Sequence, residues 1–279
     1  MLEVFLIVLA FVWIIFAVVS DLRTREIPNW LNFSLIIFAL GARLFYSVFN
    51  EDWSFFVQGV VWTVIFFGIA NLLYFSRFFA GGDAKLMMAL GPIIPLGTDF
   101  LSNLSLSLDF LLIFLVVRTV YDLASISYFT FRDSKKINKE FFKILSKNKK
   151  IIYFPVIAGA ILILLGTLDM LLLIPGLLII LMPYLYIYTK SIENVSLIKI
   201  IKTSELTEGD WLYRDVRIGK KTITANWDGL TKNEINLIKK KHKFIGIKRG
   251  IQFGPGFLII FLIFIGFYFS GIDLWNSLW

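Results

Sequence analysis

The run Leu2-Glu3-Val4-Phe5-Leu6-Ile7-Val8-Leu9-Ala10-Phe11-Val12-Trp13-Ile14-Ile15-Phe16-Ala17-Val18-Val19-Ser20 carries one charge and ends directly on Asp21. As a helix it covers the roughly 30 Å of hydrocarbon in a bilayer. It has no basic n-region and no small-residue cleavage site, so it reads as a retained helix and not as a signal peptide. Working outward, comparable apolar stretches occupy 30–49, 54–76, 84–97, 105–130, 151–167, 170–189 and 257–270, of which 84–97 and 257–270 are short. The composition agrees. Of 279 residues, 58% are hydrophobic and 17% charged, against about a quarter charged in soluble domains. A water-soluble body of this size has no room to bury so much apolar surface.

The charges orient these spans. Eight crossings place 21–29, 77–83, 131–150 and 190–256 on one face, and these segments hold 25 of the 28 Lys and Arg residues. The other face receives Glu51, Asp52, Asp99, Asp169 and Asp273 and no cation. Lys and Arg stay on the cytoplasmic side, so both termini are expected outside. Omitting the span at 84–97 would destroy this separation. Trp30, Trp53, Trp275 and Trp279 fall at span ends, where indole rings anchor. The net charge of +8 therefore reports topology and calls for no nucleic acid.

The expected fold is mainly α: a polytopic transmembrane helix bundle of about eight spans, with a small α+β cytoplasmic domain before the last helix. The divisions are a transmembrane core at 1–130, a basic cytoplasmic loop at 131–150 and an additional hairpin at 151–189. The α+β domain at 190–256 and the last helix with its outer tail at 257–279 complete the chain. Within 190–256, the β-branched stretches 195–202, 211–218, 221–225 and 244–248 favour strands. Arg217 to Lys221 reads as a hairpin connection, and Thr231-Lys232-Asn233-Glu234 as a capping box opening a helix through Lys241.

With no cysteine and one histidine, His242 in a lysine run, neither a thiolate site nor a Ser-His-Asp triad is available. Hydrolytic chemistry would fall to carboxylates. Acidic residues in or beside a span raise a functional question, and Asp21, Asp83, Asp109 and Asp122 meet that description. Asp109 reads as an interfacial carboxylate, and Asp122 as the ion-pair partner of Arg118 one helical turn earlier. Asp21 ends the first span, shortly before Ile27-Pro28-Asn29, where Pro28 suits the first turn of a helix. Asp83 follows Ala80-Gly81-Gly82 and precedes Ala84-Lys85; the two glycines permit a turn or a close approach. Both lie at cytoplasmic span ends, at one depth. Two carboxylates there can share a proton and act as acid and base on an amide. The competing reading is that both cap helix ends.

At these residues the sequence resembles the type IV prepilin and archaeal preflagellin peptidases, membrane aspartic proteases of the GxGD type. Their first motif sets an Asp at the end of the first helix, several residues before Ile-Pro-Asn, here Asp21 with Ile27, Pro28 and Asn29. Their second is Gly-x-Gly-Asp-x-Lys, here Ala80-Gly81-Gly82-Asp83-Ala84-Lys85, with Ala80 in place of the first glycine and Gly81 as a possible source of the missing flexibility. The resemblance implies that Asp21 and Asp83 are the catalytic pair, which makes 1–130 the catalytic core. It further implies that no metal or cofactor is required, and that the partners are preflagellin or pilin-like precursors and membrane lipids. Cleavage would remove a short cationic leader at the cytoplasmic membrane face. Lys85 would bias the charge of Asp83 or extend to the surface.

Glu208-Gly209-Asp210-Trp211-Leu212 is similar to the polar domain of preflagellin peptidases, whereas the chain has neither cysteines nor room for a bacterial zinc-binding region. The family resembles a six-span plan, so the hairpin at 151–189 is an addition. Glu26, Glu205, Glu208 and Asp210 read as solvated carboxylates, with attraction of a cationic leader as the sharper alternative. Two rivals stand beside this reading. A presenilin-like protease would use Tyr121-Asp122, although there the Tyr-Asp helix comes before Gly-x-Gly-Asp. An ion-coupled transporter or assembly factor would be expected to show inverted repeats with broken mid-membrane helices.

Overall fold

The computed structural model describes residues 2–278 apart from 98, 148, 168, 169, 220, 227 and 228. The expected turn at Leu168–Asp169 and the Trp279 anchor lie outside the described residues. Five described helical stretches are long and apolar enough to cross a membrane: Leu2–Thr24, Asn29–Phe49, Ser54–Phe75, Phe100–Lys147 and Met170–Leu197. Ile152–Leu165 and Gly254–Ser270 are shorter apolar helices. The chain forms two units, residues 1–122 with 252–279, and residues 123–251.

The first unit contains α1 (Leu2–Thr24), α2 (Asn29–Phe49), α3 (Ser54–Phe75), α4 (Gly81–Leu90) and residues 100–122 of α5 (Phe100–Lys147). Helix α1 is apolar all round, yet Leu6, Ala10, Ile14, Ala17 and Asp21 are its inward stripe. Steps of three and four residues keep one helix face together, and this places Asp21 on the face that packs. The opposite face exposes Val4, Phe5, Val8, Val12, Ile15 and Phe16. On α2 the same spacing buries Leu35, Ala39 and Arg43. Apolar helices gain little from meeting one another in lipid, so shape and polar contacts decide how they associate. Phe110 sits between Phe66 at 6.0 Å and Phe264 at 5.6 Å, near the middle of this packing.

The expected span 84–97 is helical only through Leu90. The ten residues of α4 reach about 15 Å, half the hydrocarbon thickness. Beyond it the chain runs through Gly91-Pro92-Ile93-Ile94-Pro95-Leu96, all buried. Two prolines within four residues prevent the helix from continuing. Buried non-helical backbone needs partners for its carbonyls. Arg43, fully buried, supplies two of them, Nε donating to Pro92 O at 2.7 Å and Nη2 to Pro95 O, while Nη1 donates to Phe55 O in the first turn of α3 at 2.8 Å. Gly59 leaves the room, since a Cβ there would lie 2.4 Å from Arg43 Cδ. At the end of the stretch, Asn103 closes on Gly97, accepting from its N–H at 2.8 Å and donating to its carbonyl at 3.1 Å.

The second unit holds residues 123–147 of α5, then α6 (Lys149–Leu165) and α7 (Leu173–Ile192). Residues 131–150 were expected as a loop, but α5 runs through Lys147 with a kink at Asp133, and α6 begins at Lys149. Low hydropathy reports exposure and not disorder, and Lys and Glu are good helix formers. Helices α6 and α7 form a hairpin whose backbones nearly touch; a Cβ on Gly159 would lie 2.6 Å from Gly176 O. Small residues allow this kind of packing between membrane helices.

The remainder is a small α+β assembly. Strand β1 (Ile198–Lys202) starts three residues later than expected, after a π-helical turn at Glu193–Leu197. The stretch 211–218 divides into β2 (Trp211–Leu212) and β3 (Val216–Ile218), followed by β4 (Lys221–Ile223). Helix α8 (Lys232–Lys241) leads to β5 (Phe244–Lys248). Antiparallel sheet order is β1-β5-β2, with β3 paired to β4 across the expected hairpin. The capping box forms: Thr231 N–H donates to Glu234 Oε2 at 2.9 Å and Glu234 N–H to Thr231 Oγ1 at 3.4 Å. Ile201, Leu212, Ile235, Ile238, Ile245 and Ile247 make its core. In the first unit, α9 (Gly254–Ser270) and α10 (Leu274–Leu278) end the described chain.

Candidate active site

Asp21 comes to the site on the inward stripe of α1, and Asp83 on the first turn of α4. They are 7% and 8% exposed, the more deeply buried carboxylates at this end of the first unit. The charges of Arg118, Asp21 and Asp122 all bear on Asp83, and Arg25 bears on Asp21. The two aspartates, 62 positions apart in sequence, therefore share one electrostatic neighbourhood.

The chain around Asp21 is shaped by the end of α1. Arg25 adopts φ of 61°, a left-handed residue that stops the helix, and its N–H donates to Asp21 O at 2.8 Å. Ser20 Oγ and Thr24 Oγ1 donate to Glu26 O at 2.8 and 3.2 Å, folding the connection back. Ile27 is then buried, and Pro28, with φ −62° and ψ 142°, is the residue that caps α2. Pro28 thus sits one position before the helical turn that was expected for it.

The two motifs meet directly. Ile27 packs against Gly82, where an added Cβ would lie 3.4 Å from Ile27 Cβ. Lys85 Nζ donates to Asn29 Oδ1 at 2.6 Å. Lys85 therefore ties α4 to the start of α2, and Ile27-Pro28-Asn29 forms the seat on which α4 rests. Gly81 has open surroundings, with only a ring carbon of Tyr74 at 3.9 Å from an added Cβ. Ala80 caps α4 with φ −73° and ψ 160°, a conformation open to any residue, which accounts for the alanine in place of glycine.

Further residues join from parts of the chain that local pattern did not associate with the pair. Arg118 Nε meets Asp122 Oδ2 at 2.9 Å, the expected ion pair. The same guanidinium lies 4.1 Å from the centre of the Phe253 ring and 5.3 Å from that of Phe78. Tyr121 donates from its hydroxyl to Gln252 O at 2.7 Å. Gly254 N–H donates to Asp21 Oδ2 at 2.9 Å, and Gln252 Nε2 to Asp21 O. No local motif marked Gln252 or Gly254; the only sequence signal was a glycine-rich start to an apolar helix.

The other acidic candidates have separate duties. Asp109 accepts from the Trp275 and Leu274 amides at 2.7 and 3.2 Å and so caps α10. Glu26 is exposed beside the first motif. In the second unit Glu208 pairs with Lys232 at 3.5 Å, and Asp210 accepts from the Thr207 amide at 2.9 Å.

Residues 8–123 match the model of the type IV leader peptidase family, a stretch that includes Asp21, Asp83, Arg118 and Asp122. Over 82 residues the chain is 30% identical to a preflagellin peptidase of Methanocaldococcus jannaschii, covering 29% of this chain and 35% of the relative. It is 29% identical to a preflagellin peptidase of Methanococcus maripaludis over 82 residues, again 29% and 35% of the two chains. The chain thus spans about a third of the length of the curated relatives it matches. No solved structure matches it.

Proposed function

We propose that the chain is a membrane aspartic endopeptidase that removes a short cationic leader from preflagellin or pilin-like precursors. One carboxyl of the Asp21–Asp83 pair, ionised, takes a proton from water as the water oxygen attacks the scissile carbonyl carbon. The other, protonated, hydrogen-bonds the carbonyl oxygen and stabilises its developing charge. Such a pair titrates as a unit. The observation that carries this reading is that two buried carboxylates stand on motifs joined by the Ile27–Gly82 and Lys85–Asn29 contacts, both inside the stretch that matches the leader peptidases.

The membrane arrangement belongs to the same proposal. Helix α4 and the non-helical stretch 91–97 together make the fourth of eight crossings. This keeps the Lys and Arg residues on one side and sets both aspartates at the cytoplasmic face. The substrate's leader would remain in water there while its hydrophobic helix stays in lipid. Glu26, exposed beside the first motif, is placed to attract the leader's cations. Asp122 is engaged by Arg118, which supports assigning the chemistry to Asp21 and Asp83 and not to a Tyr121-Asp122 pair.

The test is cleavage of a preflagellin-like substrate by the purified chain in detergent. Wild type cuts, whereas Asp21→Asn and Asp83→Asn each abolish cutting and keep the wild-type melting temperature. Activity retained by either variant would remove that residue from the pair.

A further inference from the structure

We propose that the turn Gln252–Phe253–Gly254, which opens the last apolar helix, positions Asp21 and is a third element of the active site. The inference rests on the reading of Asp21 as half of the water-activating pair, and it adds a segment that lies outside the family match at residues 8–123. Two hydrogen bonds fix Asp21 from this turn. Gly254 N–H holds Oδ2 at 2.9 Å, and Gln252 Nε2 holds the backbone carbonyl. The first N–H groups of a helix lack helical partners and favour an anion, so a carboxylate is a suitable acceptor.

Position 254 admits no side chain. A Cβ there would lie 2.7 Å from Asp21 Oδ2 and 3.0 Å from Asp21 Cβ. The turn is itself clamped. Tyr121 OH donates to Gln252 O, and the Tyr121 ring meets Phe253 edge-on at 5.3 Å. Phe253, 2% exposed, is covered by Arg118 and packs on Phe114 and Phe257 at 6.1 and 5.4 Å. Gly254 and Gln252 are thus positioning residues that act through Asp21, and Tyr121 acts through Gln252.

Steady-state cleavage by the full-length chain separates positioning from general support. Gly254→Ala is expected to lower kcat about 100-fold, with KM unchanged within about threefold, because an ångström of displacement is costly in catalysis. Tyr121→Phe, which removes one oxygen, is expected to lower kcat several-fold at an unchanged melting temperature. Wild-type kcat in Gly254→Ala, or a loss matching only its folded fraction, overturns the proposal. Should Gly254→Ala fail to fold, wild-type kcat in Tyr121→Phe and Gln252→Ala overturns it equally. An active Asp21→Asn removes both this inference and the reading beneath it. An inactive Asp21→Asn beside fully active Gly254→Ala and Tyr121→Phe removes this inference alone.

Discussion

Lys85 and Asn29 form the bond by which the two motifs recognise each other. The ammonium donates to Asn29 Oδ1 at 2.6 Å, and both groups are near the surface. Water competes there, so the pair is worth about 1 kcal/mol or less. Its value lies in registering α4 against α2, and with it Asp83 against Asp21. Lys85→Met and Asn29→Ala are therefore each expected to reduce cleavage, and the double variant to be no worse than the more damaging single. A double-mutant cycle on kcat/KM checks this, since residues in contact are not additive. Full additivity would mean that the two side chains act apart. That Lys85 has a partner in the first motif was not legible locally, because 56 positions separate the two residues.

Elements carry their own consequences. The stretch after α4 is held as non-helical backbone by Arg43, which answers two of its carbonyls, Pro92 O and Pro95 O. Arg43→Leu leaves both without that donor, and at roughly 1–3 kcal/mol for each buried unsatisfied group the loss is about 2 kcal/mol or more. Thermal unfolding in detergent would show it as a lower melting temperature; an unchanged value would deny Arg43 this role. Broken helices are a feature expected of transporters, but here protein fills the break after α4 with Arg43 and Asn103.

At the other ends of helices, Asp52 and Asp99 accept from Ser54 and Ser102 ahead of α3 and α5, with both carboxyls held below the usual value by those hydroxyls and amides. A depressed folded pKa contributes stability above the unfolded value and loses it as pH falls through the folded one. The contribution is expected to disappear below about pH 4, the ordinary aspartate range. Asp99→Asn should flatten the acid side of the melting curve against pH. An identical acid limb in the variant would exclude this cap from acid stability.

For the whole molecule, the proposed eight-crossing arrangement makes a demand that labelling can meet directly. The chain has no cysteine, so single introduced thiols report without background. Ser76→Cys should react only from the cytoplasmic side and Phe100→Cys only from the outside, because α4 with 91–97 separates them. Reaction of both from one side would reduce the crossings and return the stretch to a re-entrant loop.

The sequence by itself determined the helical class, the small α+β segment, the capping box and the two aspartate motifs. All of these rest on local pattern: apolar length, β-branching, capping spacing and an acid where an acid is costly. Only the tertiary structure decided that Arg43 serves the break after α4, that 131–147 is helix, and that Gly254 meets Asp21 across 233 positions. The physical reason is that an apolar helix looks alike on every lipid-facing side. Which helices become neighbours is settled by packing shape and a few long-range polar contacts, and no window of sequence contains both partners.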